Sequence, residues 1–259
     1  VIAYARTVQL PTVEVPGGRV EYADIPGRPD LPPLLFLHEG LGSVGLWRGF
    51  HEDVAAATGR RTVAYSRLGH GWSDLPPAKR TTTFMHEEAR TVVPALREAL
   101  GLERPALIGH SDGASIALLH AAIADVSALV VIAPHVFVEE VGLAGIAQAR
   151  AEFEEGDLRR RMARHHRDPD VTFANWCDVW RDPAFRDWDL RPDIAAITCP
   201  ILAVQGTEDR YGTVAHVEAI RDTVRSTDVE LLILGGGHAP HLEHRERVRD
   251  AIVARLDGR

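Results

Sequence analysis

Residues 103–119 read ERPALIGHSDGASIALL. The apolar run 105–108 meets Gly109-His110-Ser111-Asp112-Gly113, and the helix-forming stretch 114–119 follows at once. A strand, a sharp turn and a helix around G-x-S-x-G form the context in which that pattern carries weight. The need for glycine is steric, because a serine held in a strained turn leaves no room for side chains two residues before or after it. Such a turn lifts the Ser111 hydroxyl above a sheet. It also sets the Asp112 amide at a helix N-terminus, where it can donate to an oxyanion. Ser111 is therefore the candidate nucleophile, and the Asp112 carboxylate reads as a local acid favoured by the helix dipole.

A serine hydroxyl attacks poorly until a base takes its proton, so one of the thirteen histidines must reach it. His238 is the candidate: it follows the apolar Leu231-Leu232-Ile233-Leu234 and the glycines Gly235, Gly236 and Gly237, at a strand's carboxyl end. His241 and His244 lie beyond Pro240 and are expected on the surface of the last helix, with His241 the rival base. The imidazole needs an acid to fix its tautomer. Asp209, just after the apolar run 201–204, is preferred to its neighbour Glu208. A second oxyanion donor belongs in His38-Glu39-Gly40-Leu41-Gly42-Ser43, after the run Leu34–Leu37. There Gly40 is assigned, with Leu41 as rival and His38 expected to hold the loop.

Short, nearly continuous apolar runs at Leu34–Leu37, Thr62–Tyr65, 106–108, Ala128–Ile132, 200–204 and Val229–Leu234 suit strands buried on both faces of a parallel sheet. Thr12–Val15 and residues 19–24, around Pro16-Gly17-Gly18, predict an antiparallel hairpin at the sheet edge. Phe84, Ala89, Val92, Val93, Leu96 and Leu100 predict one helix over 83–100 despite Pro94. The alternation predicts an α/β fold with a mostly parallel, twisted sheet and helices on both faces. Residues 134–197 lack a buried strand and are expected to form a helical cap inserted into a core of 1–133 and 198–259. In open parallel sheets ligands bind beyond the carboxyl ends of the strands, where all of these motifs fall.

With 259 residues and 45% hydrophobic content the chain is long enough for one well-buried core. Its 29 basic and 37 acidic residues, net −8, argue against nucleic-acid binding and for a small-molecule partner. Cys177 and Cys199 have no metal-ligand spacing and read as reduced packing residues, so neither metal nor cofactor is expected. No signal-peptide pattern occurs in residues 1–16 and no apolar run approaches the ~18 residues that span a bilayer. By default these point to a cytoplasmic protein without membrane attachment.

In order and spacing these segments resemble the α/β-hydrolase superfamily of esterases, lipases and thioesterases, over nearly the whole chain. Ser111, Asp209 and His238 match the family's order of nucleophile, acid and histidine, residues 103–113 are close to its elbow, and Gly69-His70-Gly71-Trp72-Ser73-Asp74 resembles its G-x-G-x-S turn. Two positions depart. The family often has His-Gly where this chain has His38-Glu39-Gly40, which brings a carboxylate to the mouth of the site. Ser66 stands where an aspartate is usual, a change expected to be structural.

The resemblance implies hydrolysis of an ester or thioester by acyl transfer through a Ser111-His238-Asp209 triad. Lactone or carbon–carbon bond hydrolysis is open to the same machinery, and a non-catalytic binding protein of this fold is the alternative of another class. Haloalkane dehalogenase and epoxide hydrolase relatives carry aspartate at the elbow, against Ser111. Glu39, Trp176 and Trp180 are the candidate substrate contacts. The cluster Arg159, Arg160, Arg161, Arg164, His165, His166 and Arg167 would suit an anionic substrate such as an acyl-CoA if it faced the pocket, and is otherwise a solvated helix face.

Overall fold

The computed structural model describes residues 10–258; of the N-terminal stretch that lacks a signal-peptide pattern, residues 1–9 lie outside the described part. The strands are β1 (Thr12–Val15), β2 (Gly18–Ile25), β3 (Leu34–Leu37), β4 (Thr62–Tyr65), β5 (Ala106–His110), β6 (Ala128–Ile132), β7 (Ile201–Gly206) and β8 (Val229–Leu234). They form one sheet in the order β1-β2-β4-β3-β5-β6-β7-β8. β1 pairs antiparallel with β2 and β2 with β4, as the hairpin reading required, and every later pairing is parallel.

Alternation along each strand divides the core. Leu35, Leu37, Val63, Tyr65, Leu107, Leu129 and Val131 pack on one face of the sheet, and Leu34, Phe36, Ala64, Ile108, Val130 and Ile132 on the other. Both faces are covered because a parallel sheet needs crossovers, and these are mostly helical: α1 (Phe50–Thr58), α2 (Phe84–Glu87), α3 (Val93–Ala99), α4 (Asp112–Ala121), α5 (Glu140–Glu154), α6 (Leu158–Met162), α7 (Pro169–Trp180), α8 (Arg191–Ile194), α9 (Ala215–Thr223), α10 (Pro240–Glu243) and α11 (Arg245–Leu256). In α4 every residue from Asp112 to His120 is buried.

The stretch expected as one helix over 83–100 is interrupted. Between α2 and α3 the turn Glu88–Val92 widens to a π-helix, and the Val93 amide bonds to Glu88 O instead of Ala89 O. In that frame Ala89 O would need a donor from Pro94, which has none. The His120 ring supplies it, Nδ1 to Ala89 O at 2.8 Å. The proline is therefore absorbed by a bulge and a histidine from the next helix, neither of which apolar periodicity registers.

Between β6 and β7 the chain runs through α5, α6, α7 and α8 without joining the sheet, and one isolated bridge, Phe137 to Asp189, ties the two ends of this segment to each other. Ser66 has the structural role expected of it: its hydroxyl donates to Glu21 Oε1 at 2.7 Å and accepts the Val44 amide at 3.0 Å. Among the described residues no helix is long and apolar enough to cross a membrane.

The β5–α4 turn is closely packed at both of its glycines. A Cβ on Gly113 would collide with the Leu37 carbonyl in β3, and one on Gly109 would lie 2.5 Å from Ala114 Cα. Gly113→Ala should therefore cost on the order of 2–3 kcal/mol. Gly235 has open space around it and no positive φ, so Gly235→Ala should leave the thermal midpoint nearly unchanged. Equal melting of the two variants by circular dichroism would contradict this packing account.

Candidate active site

Ser111 adopts φ 53° and ψ −121°, left-handed backbone that a β-carbon makes costly. The parallel register leaves no alternative, since the Ser111 amide bonds to Ile132 O at 2.9 Å while its carbonyl accepts the Ala114 amide at 2.8 Å, turning strand into helix within one residue. Asp112 is the first residue of α4, where an amide has no acceptor within the helix.

His238 lies in the loop after β8, and its Nδ1 is 2.7 Å from Asp209 Oδ2. Asp209 follows β7; its other oxygen accepts the Tyr211 amide at 2.8 Å, and Gln205 Nε2 donates to Oδ2 at 2.9 Å. Burial alone would raise the Asp209 pKa, but the hydrogen bond from His238, the charge of that ring and the Tyr211 amide outweigh it and hold the carboxyl at about 2. The rival Glu208 is exposed and contributes its backbone amide to Gly236 O.

His241 departs from expectation. Instead of lying on a helix surface it is 2% exposed, its ring 5.3 Å from Trp47, 5.3 Å from Phe50 and 4.7 Å from His110. α10 is a single turn tucked beneath the loop, so its polar residues do not all reach water; burial holds the His241 pKa well below its usual value. His110, which sequence reasoning passed over, carries Nε2 2.7 Å from His238 O and donates to it, bracing the His238 loop from the Ser111 turn.

The loop after β3 is held by three histidines on three successive carbonyls. His38 Nδ1 donates to Glu39 O at 2.7 Å, His70 Nε2 to Gly40 O at 2.9 Å and His166 Nε2 to Leu41 O at 3.0 Å. Arg67 adds bonds to His38 O and Glu39 O. In a trans peptide the N–H points opposite to the C=O, so pinning these carbonyls aims the amides of Gly40 and Leu41 the other way. The Gly42 amide closes a turn on Glu39 O at 3.0 Å. Burial keeps all three rings below their usual pKa, His166 at about 4, which suits neutral donors. The sequence pattern marks His38 alone for this loop and sets His166 within the basic cluster. Gly40 is required by a neighbour as well, since a Cβ there would collide with the Trp176 indole.

A cavity of about 280 Å³ opens beyond the strand ends. Ser111, His238, Gly40, Leu41, Glu39, Asp112, Trp176 and Trp180 all line it, with His135 and Tyr211 as additions that nothing in the sequence pattern marked. Trp188 does not reach it and stacks on Phe185. The arginine cluster also lies elsewhere: Arg159 pairs with Asp170 at 2.6 Å, Arg160 with Asp157 at 3.0 Å, and Arg167 with Asp74 at 3.5 Å. Asp112 proves to be more than a local helix acid, because its carboxylate is buried and accepts a hydrogen bond from Trp180 Nε1 at 3.2 Å.

With this geometry in view, the class can be stated: residues 34–251 match the model of the alpha/beta hydrolase family, and the chain belongs to that family. The particular likenesses are more partial. A proline iminopeptidase of Lactobacillus delbrueckii subsp. lactis is 34% identical over 91 residues, 35% of this chain and 31% of that protein. A human (lyso)-N-acylphosphatidylethanolamine lipase is 33% identical over 93 residues, covering 36% and 26%. The matches thus span about a third or less of these relatives. Among solved structures, the enol-lactonase of Burkholderia xenovorans LB400 superposes with a TM-score of 0.76 at 18% identity, covering 95% of this chain and all of that one. An esterase of Exiguobacterium antarcticum gives 0.76 at 20% identity over 96% and 100%. At such identities these two speak to the fold alone.

Three carboxyls tie the site to acid stability. Glu139 is held at about 2 first by His216, whose Nε2 lies 3.0 Å from its Oε2, and then, against burial, by the Thr213 amide and hydroxyl. Against burial, the neighbouring His110 holds Glu39 at about 2, and Asp209 is held as described. Their ordinary values are 4.5, 4.5 and 3.8. The folded values lie lower, so protonation favours the unfolded chain; this stabilisation is complete above roughly pH 4.5 and is lost as pH falls towards about 2. The urea midpoint should drop steeply across that window, and a flat midpoint would contradict the assignments.

Proposed function

We propose that the chain is a serine acyl hydrolase, cleaving an ester or thioester with Ser111 as nucleophile, His238 as base and Asp209 as the acid that orients it. The observation that carries this reading is the 2.7 Å bond from His238 Nδ1 to the buried Asp209, with His238 and Ser111 facing one cavity. That bond fixes the tautomer in which Nε2 is free to accept a proton. His238 takes the Ser111 hydroxyl proton as Oγ bonds to the substrate carbonyl carbon. The developing oxyanion receives hydrogen bonds from the Asp112 amide and from Gly40, with Leu41 as the rival second donor. The carbon–leaving-group bond then breaks and His238 returns the proton to the leaving group. A water deprotonated by the same ring attacks the acyl-enzyme and releases the acid and Ser111.

Residues 134–197 serve in this reading as a cap. They bring Trp176 and Trp180 over the cavity, and His166 from the same segment supports the donor loop. A small-molecule substrate suits the cavity volume.

A fluorophosphonate probe should label wild type and not Ser111→Ala, and that variant should lose p-nitrophenyl acetate hydrolysis by a factor on the order of a million in kcat. Gly40→Ala, whose Cβ meets Trp176, should fold yet lose about a hundredfold in kcat. Undiminished cleavage by Ser111→Ala would remove the mechanism.

A further inference from the structure

We infer, resting on the reading of the site given above, that the cavity selects acyl groups bearing a protonated amine next to the scissile carbonyl, with Asp112 as the carboxylate that receives it. Asp112 is 1% exposed. Its Oδ1 accepts the Trp180 indole, no hydrogen bond to its Oδ2 occurs among the described residues, and Asp112 lines the cavity. Oδ2 stands 3.0 Å from where a Cβ on Gly40 would be, between the nucleophile turn and the donor loop. A carboxylate removed from water needs a donor for each oxygen, and a charged donor satisfies it best.

The nearby cations do not fill that place. Arg67 directs its terminal nitrogens to His38 O and Glu39 O, and Arg80 directs Nη2 to Leu68 O and Glu88. Both act on Asp112 through space, and burial still raises its pKa, the direction of a carboxylate short of cationic partners.

The remaining walls agree. Glu39 brings a second carboxylate to the cavity, a quarter exposed and 3.4 Å from His110. Trp176 lines it as well, and aromatic faces attract ammonium groups. Among the described residues the one arginine lining the cavity is Arg48, which is exposed. Burial and the neighbouring His216 and His238 hold His135 well below its usual pKa, hence neutral. Such a cavity disfavours the anionic substrate that the arginine cluster would suit if it faced the pocket. Asp112 directly follows Ser111, about 3.8 Å away between α-carbons. An amine it holds is therefore close to the attacked carbonyl, as in an α- or β-amino acyl group.

The test compares L-alanine methyl ester with N-acetyl-L-alanine methyl ester near pH 6.5, where the α-amine is protonated. Wild type should favour the free amine in kcat/KM by roughly ten- to a hundredfold, and Asp112→Asn should bring that ratio towards one. Should the variant not fold, wild type alone decides: L-alaninamide should inhibit p-nitrophenyl acetate cleavage and N-acetyl-L-alaninamide should not. Equal or reversed preference in wild type, or an unchanged ratio in Asp112→Asn, would overturn the amine site while p-nitrophenyl acetate cleavage upheld the hydrolase reading. Failure to cleave any of the three esters would instead sink that reading.

Discussion

The structure depends on one residue held in left-handed backbone. Ser111 passes from a strand in the middle of the sheet to a helix that packs across it, and the passage has room for nothing larger than hydrogen at 109 and 113. The strain is retained because β3 and β6 trap the turn between them: the Leu37 carbonyl abuts Gly113, and Ile132 O holds the Ser111 amide. A locally unfavourable conformation survives when its surroundings over-determine it. The same arrangement leaves the serine hydroxyl and the first amides of α4 facing outward together.

Around that turn the protein uses buried histidines largely as hydrogen-bonding parts. His38, His70 and His166 hold three successive carbonyls, His120 completes a bulge that proline opened, and His110 braces the loop of His238. A neutral imidazole suits such work, since it can donate from one nitrogen and accept at the other without bringing a net charge into the core. His166 does both, accepting the Gly71 amide at 3.0 Å while donating to Leu41 O. It thereby couples the helical segment between β6 and β7 to two loops of the sheet domain. Removal of these rings would leave carbonyls without donors in a place water reaches poorly, a cost that links loop geometry to stability.

Charge is sorted by position. Arg159, Arg160, Arg161 and Arg167, in the segment following α5, are paired on the outside, while carboxylates and aromatic rings line the cavity. The electrostatic character of the pocket thus opposes what a count of basic residues in that segment suggests. Affinity for a charged group depends on which side chains are desolvated beside it, and an exposed, screened arginine contributes little there.

The sequence by itself determined the strands, the elbow, the strand-end positions of Ser111, Asp209 and His238, and the loop that lines the cavity with Ser111 and His238. Each rests on a local rule: continuous apolar runs for strands buried on both faces, glycines flanking a strained serine, polar residues just past a strand end. The tertiary structure alone decided what depends on contacts distant in the chain. Pro94 looked compatible with a continuous helix until the register with α4 was known; His241 looked exposed until α10 was seen folded beneath Trp47; Asp112 looked like a helix-dipole acid until Trp180, 68 residues away, met it. Periodicity reports which face of an element is apolar. It does not report which other element covers a polar group, and in this protein that covering decides the electrostatics of the cavity.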